Sequence, residues 1–383
     1  MAKYFIIAGE ASGDLHGASL IEALKREDSE AQFMYLGGDL MAAASGVQPL
    51  IHYRDMAYMG FIEVIRHLPA ILGFMSKAKQ AIAQHRPDAV ILIDYPSFNL
   101  KIAKYAFSLG IPCFYFISPK VWVWKEYRVK EIKRYISRLF SILPFETAFY
   151  RKHNYEVEYV GNPSVKEIAE AAKHFAHFST FVADSGLDDE KPIIAIVPGS
   201  RVKEIRDNLP TMVAAAARHA HDYQLVIAGA PSISQKLYDE VLEPLGLSVP
   251  VLRGKTFELV HHARVALVTS GTATLETAIL GTPQVACYRM NGSKWIYKFY
   301  RRLLKGKYVT LPNLITDSEV IPELLLHFCS ADAIDSHLSA LLEDGVERSR
   351  MLEGYSRMMQ TLTDKDCTAC TAHGIVSYLK SKR

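Results

Sequence analysis

Short uninterrupted apolar runs, each followed by a stretch of helical periodicity, recur along this chain and sharply limit what it can fold into. Residues 4–8, 32–36, 89–93 and 113–117 are such runs, and 14–26, 61–84 and 99–109 carry the helical pattern between and after them. Strands without polar alternation need cover on both faces, which a parallel sheet sandwiched by crossover helices provides. The pattern weakens over 165–190, rich in Ala, His, Phe and Asp. It then restarts with strands at 193–197, 225–228, 266–268 and 285–288 and helices at 203–219 and 272–280. The expected fold is α/β, with two facing Rossmann-like doubly wound domains. The expected boundaries are 1–165 and 186–349, with a helical tail, 350–383, crossing back to the first domain.

Length agrees, since 383 residues exceed one ordinary core. Hydrophobic residues at 49% and charged residues at 22% exclude a largely disordered chain. A formal charge of +3 does not mark a nucleic-acid binder. The five cysteines are scattered apart from Cys367 and Cys370, whose spacing lacks a partner CxxC and reads as two reduced thiols. No run of about 18 apolar residues suggests a membrane span. The expected location is cytoplasmic, with attachment to the inner face of a membrane through two apolar-basic stretches. Residues 59–79 carry Phe61, Leu68, Leu72 and Phe74 with Arg66, Lys77 and Lys79; residues 294–307 interleave Trp295, Tyr297 and Phe299 with six Lys and Arg and no acid. Either could also be an ordinary core helix.

Ligands of open parallel sheets bind beyond the carboxyl ends of the strands, so motifs at those ends matter most. G-E-A-S-G-D-L-H-G, residues 9–17, follows the first strand and opens a helix, where glycines and free N–H groups let a ligand approach. Its glycine spacing is not GxGxxG. Gly37 and Gly38 stand where a dinucleotide fold has an acid, which disfavours a nicotinamide dehydrogenase. In I-D-Y-P-S-F-N, Asp94 ends an apolar strand and is a candidate general base, while Asn99 suits a helix cap. Trp122 and Trp124, after S-P-K, suit a sugar, an acyl chain or the core equally. In V-P-G-S-R, Gly199 and Ser200 offer N–H groups and Arg201 a phosphate ligand, although Glu204 could pair with it. In T-S-G-T-A-T-L-E, Ser270, Gly271 and Thr272 suit a pyrophosphate and Glu276 a ribose diol. Asn313 in L-P-N-L is a turn residue or a polar ligand contact. No metal spacing stands out and no cofactor is expected, because arginine and helix ends can neutralise a leaving diphosphate.

Taken together and in this order, these motifs resemble the lipid-A-disaccharide synthase family over nearly the whole chain, with M-G-F-I-E-V at 59–64 and L-P-F-E at 143–146 as further matches. The resemblance implies a GT-B fold and an inverting transfer from a UDP-2,3-diacylglucosamine donor to a 2,3-diacylglucosamine 1-phosphate acceptor, releasing UDP. It makes Asp94 the essential aspartate, sets Arg201, Glu276 and Asn313 on the nucleotide side, and sets Ser12, Gly13 and Asp14 in the acceptor loop. It leaves room for a homodimer with an exchanged tail. Three positions depart from the family pattern: Ser97 replaces the second aspartate of D-x-P-D-F, Asn162 replaces the histidine of V-G-H-P, and Leu326 replaces the glutamine of E-L-L-Q. A UDP-sugar 2-epimerase and an inactive lipid-binding protein on the same fold are the alternatives; turnover of UDP-N-acetylglucosamine without a lipid acceptor would mark the first.

Overall fold

The computed structural model describes residues 1–56, 68–269, 271–289, 307–363 and 365–382. The chain divides into two compact units, Met1–Pro163 with Asp364–Arg383, and Ser164–Thr363.

The first unit holds a parallel sheet of β1 (Lys3–Ala8), β2 (Gln32–Gly37), β3 (Ile51–His52), β4 (Ala89–Ile93), β5 (Cys113–Phe116), β6 (Arg138–Ser141) and β7 (Glu158–Tyr159). Their order is β3-β2-β1-β4-β5-β6-β7, and every neighbouring pair is parallel. Successive residues alternate between two cores, as the pleat requires. Phe5, Ile7, Val90 and Leu92 face one, while Tyr4, Ile6, Ala8, Ile91 and Ile93 face the other. That double burial is why these strands read as continuous apolar runs.

The second unit repeats the plan. Its sheet runs β10-β9-β8-β11-β12-β13, all parallel, from β8 (Ile193–Val197), β9 (Gln224–Gly229), β10 (Val251–Arg253), β11 (Ala263–Val268), β12 (Gln284–Tyr288) and β13 (Glu323–Leu325). The helices Pro163–Ala172 and Phe178–Asp184 fill the stretch before β8, and Phe181 and Val182 pack into this unit's core.

The expected tail, 350–383, divides. The helix Val346–Thr361 stays with the second unit because Met351, Tyr355 and Met358 are buried there. Tyr355 Oη donates to the Thr282 carbonyl at 3.2 Å and accepts from Gln284 Nε2 at 3.1 Å. Only the helix Cys367–Lys382 joins the first unit. It lies close because Gly374 has no side chain: a Cβ there would stand 2.7 Å from Phe140 Cε1. Arg138 donates to the Gly374 carbonyl at 3.1 Å, and Tyr378 meets Phe114 edge-on at 5.3 Å. Cys367 and Cys370 are free thiols on this helix.

Candidate active site

In both sheets the strand order reverses once. The reversal falls between β1 and β4 in the first unit and between β8 and β11 in the second. Chains leaving two such strands diverge to opposite faces and open a crevice at their carboxyl ends. The loop of residues 9–17 leaves β1, Asp94 follows β4, Gly199–Arg201 follow β8, and Thr269 and Gly271 follow β11. The main motifs therefore occupy the two switch points.

At the first switch point, Asp94 and Tyr95 are consecutive residues in the left-handed region, with φ of 42° and 47°. Such strain persists only where neighbours over-determine it. Here Asn99 Nδ2 donates to the carbonyls of Ile93 at 3.2 Å and Asp94 at 2.7 Å, and the buried Tyr115 hydroxyl also donates to Asp94 O. Asn99 is thus not the helix cap its position suggested. It lies fully buried within the helix Pro96–Ser108 and ties down the turn that presents Asp94. The Tyr95 ring closes over the first loop: a Cβ on Gly9 would stand 2.5 Å from Tyr95 Cγ. The carboxylate of Asp94 reaches solvent. Desolvation by the protein around it nonetheless raises its pKa above the ordinary aspartate value, opposed by the Lys120 ammonium and a hydrogen bond from the Tyr95 backbone.

Within the 9–17 loop the residues divide. Ser12 is exposed on the first turn of the helix Ala11–Glu27, and Gly13 packs against Ala8. Asp14 turns inward. Its carboxylate accepts from the backbone N–H groups of Gly38 at 2.7 Å, Leu40 at 3.1 Å and Met41 at 3.1 Å. It therefore holds the start of the helix Asp39–Ser45 rather than facing a ligand. This explains Gly37-Gly38 at the end of β2: a Cβ on Gly38 would meet Asp14 Oδ2 at 2.7 Å and the Tyr53 ring at 2.4 Å. Burial lowers the His16 pKa to about 4, so this imidazole is neutral at ordinary pH.

Trp122 donates from Nε1 to Glu146 Oε1 at 3.0 Å and meets Phe145 edge-on at 5.0 Å. Glu146, in the L-P-F-E motif, is the partner that fixes the Trp122 indole, a link the sequence does not announce. It is fully buried, and burial pushes its pKa up to about 7 against hydrogen bonds from Ser141, Trp122 and Ser118. The only signal was a carboxylate inside an otherwise apolar motif.

At the second switch point, the backbone joins the two loops: Thr269 N donates to Val197 O at 2.8 Å. Gly199 adopts φ of 101°, and a Cβ there would meet Glu204 Oε2 at 2.5 Å. Glu204 takes the Ser200 N–H at 3.2 Å and the Arg201 guanidinium at 2.7 Å. The Ser200 N–H, expected to be open, is therefore occupied. The Arg201 side chain is 60% exposed, and an ion pair of this kind stabilises by about 1 kcal/mol or less, so an incoming diphosphate can displace it. Thr272 is exposed, and Ser270 lies outside the described residues. Glu276 is half-buried in the helix Gly271–Ile279, and burial, then repulsion from Glu167, raises its pKa to about 7.

Asn313 lies within the short helix Leu311–Thr316 rather than in a turn, and its side chain is taken up mainly by backbone. It is fully buried, donates to Ile321 O at 2.9 Å and Glu323 Oε1 at 3.0 Å, and accepts from the N–H groups of Val320 and Ile321. Arg289 is likewise not announced by the sequence. It follows β12, and its backbone N–H and guanidinium bond Asn208 and Thr211, both at 2.6 Å.

Of the first apolar-basic stretch, 57–67 lie outside the described residues. In the helix Leu68–His85, Met75, Ala78 and Ile82 are core, Lys77 bonds Leu50 O, and Lys79 sits over the Tyr105 ring. Among the described large apolar side chains of this helix, Leu72 alone is strongly exposed, at 50%. The second stretch lies outside the described residues but for Lys307. Among the described residues no helix is long and apolar enough to cross a membrane.

Two Rossmann-like units with glycine-rich loops at both switch points define the GT-B class shared by sugar-nucleotide transferases and epimerases. A solved UDP-N-acetylglucosamine 2-epimerase from Rickettsia bellii superposes with a TM-score of 0.65 at 14% identity, covering 100% of this chain and 98% of that one. That likeness carries the fold alone. A family described as lipid-A-disaccharide synthetase matches residues 4–373. Curated lipid-A-disaccharide synthases are similar throughout: that of Acidobacterium capsulatum is 36% identical over 95% of this chain and 93% of its own, and that of Koribacter versatilis 35% identical over the full length of both. The chain belongs to the lipid-A-disaccharide synthase family and is a glycosyltransferase.

Proposed function

We propose that this enzyme transfers 2,3-diacylglucosamine from its UDP derivative to 2,3-diacylglucosamine 1-phosphate with inversion, at an inner membrane surface. The observation that carries this is Asp94: a solvent-reaching carboxylate with a raised pKa, fixed in a strained turn at the β1/β4 switch point. A carboxylate of raised pKa is a stronger general base once ionised. Asp94 accepts the proton of the acceptor 6-hydroxyl as that oxygen bonds to the donor's anomeric carbon. The bond from that carbon to the diphosphate breaks, its electron pair leaves with UDP, and the α-linked donor gives a β-linked disaccharide. In the second unit, Arg201 exchanges Glu204 for the diphosphate, the Gly271 and Thr272 backbone, with Ser270, faces it, and Glu276 accepts the ribose hydroxyls. Ser12 and Gly13 line the acceptor side, with Trp122 against the sugar or an acyl chain, and Asp14 and Asn313 hold loops in place. Leu72 and the 294–307 stretch supply membrane contact, which vesicle flotation of a Leu72→Asp variant would show as weakened binding. Purified protein given both acylated substrates yields UDP and a disaccharide whose mass and β-configured anomeric NMR signal identify it. An α-configured product, or UDP release without disaccharide, would contradict the scheme.

A further inference from the structure

Two basic side chains, Arg128 and Lys120, act in the neighbourhood of Asp94. The turn that presents Asp94 continues into Ser97, and Arg128 Nη2 donates to Ser97 Oγ at 3.0 Å. A neutral hydroxyl orients the guanidinium without neutralising it. Among the described residues no carboxylate forms an ion pair with Arg128 or Lys120. Glu126, the acid nearest Arg128 in sequence, pairs with His153 at 3.1 Å. Arg128 is half-buried and opens the short run into the helix Val129–Tyr135, so its backbone is anchored by the buried Val129 and Ile132. Lys120 is exposed, and its charge acts on both Asp94 and Glu146. Arg128 in turn acts on Tyr115, whose hydroxyl holds the Asp94 carbonyl, and on Lys125, whose pKa falls through desolvation and then this like charge. Asp94 and Glu146 are the acids on which the Lys120 charge acts, and Glu10 acts on the neighbouring Tyr95.

We infer that Arg128 and Lys120 form a seat for a phosphate monoester beside Ser97, on the turn that presents Asp94. A planar guanidinium and a mobile ammonium together suit a dianion. The seat deepens the proposed function and rests on it in one respect: the ester it would hold is the anomeric phosphate of the acceptor. The phosphate on C1 and the hydroxymethyl group on C5 stand on the two carbons that flank the ring oxygen, so seating the phosphate beside Ser97 keeps the 6-hydroxyl within reach of Asp94. The seat thus selects a phosphorylated acceptor over a neutral one and orients it for attack.

The test has two arms, using the full chain and the variants Arg128→Gln, which keeps a donor for Ser97, and Lys120→Gln. In the first, glucosamine 1-phosphate and N-acetylglucosamine are titrated separately by NMR. The seat predicts that each variant binds the phosphate ester at least about tenfold more weakly, with N-acetylglucosamine unchanged. Equal weakening for both sugars, unchanged binding, or no phosphate-ester binding by the unaltered protein would overturn it. In the second arm, the phosphorylated acylated acceptor is turned over with donor. The seat predicts a comparable fall in kcat/KM for acceptor and an unchanged KM for donor, and Arg128→Lys recovers part of the loss. Weaker phosphate binding by the variants, with no disaccharide from the unaltered protein, would leave the seat standing and overturn the proposed function instead.

Discussion

The peptide unit after Asp94 is pinned by Asn99 and Tyr115, and this pinning is itself testable. Asn99→Asp would set a buried carboxylate against the two carbonyls that the amide now serves. The expected loss of stability is about 2–3 kcal/mol at neutral pH by denaturant titration. Folding raises the pKa of such a carboxyl, so the loss should shrink as pH falls toward about 4, where the unfolded chain also protonates. Glu276 gives a second prediction. Its pKa of about 7 means that its carboxylate is lost as pH falls through neutrality, so KM for donor should rise below pH 7. Glu167→Gln removes the like charge beside it and should move that rise to lower pH. At this scale the sequence was informative about which residue types stood where, and less so about which way they pointed. Asp94, Ser12 and Arg201 are exposed as a site requires, yet Asp14 and Asn313 look identical in sequence whether they face a ligand or, as here, backbone N–H groups. Glu146 was hidden for the converse reason, because its burial and partners come from the fold, among them Trp122 on a separate element.

Elements were legible in proportion to their length and burial. The strands β1, β4, β5 and β8 are almost wholly buried, and their apolar runs announce them. β3 and β7 have two residues each, and β10 and β13 have three, too few to display any period. Nor does local pattern reveal strand order, so the reversals between β1 and β4 and between β8 and β11, which locate the site, emerge only from the paired sheets. The close packing of the last helix on the first sheet gives a prediction at this level. Gly374→Ala drives a methyl group into the Phe140 ring and should cost about 1–3 kcal/mol, seen as a lowered thermal midpoint. Gly9→Ala meets the Tyr95 ring instead, and should reduce turnover by tilting the residue beside Asp94.

For the whole molecule, the two-unit plan follows from chain length and from the repeated strand–helix alternation, whereas the path of the tail does not. Nothing local distinguishes the helix Val346–Thr361, which stays with the second unit, from Cys367–Lys382, which returns to the first; the difference lies in which core receives Met358 or Ile375. Removal of residues 364–383 should therefore expose Phe114 and Phe140 and leave the first unit aggregation-prone, measured by light scattering on purification. The central claim is that transfer depends on the Asp94 carboxylate at the β1/β4 switch point. Its most direct test is single-turnover formation of the disaccharide by Asp94→Asn, with UDP-donor binding measured in parallel. The expected result is a fall of about 100-fold or more in transfer rate with donor affinity unchanged; a folded Asp94→Asn protein that transfers at the unaltered rate would contradict it.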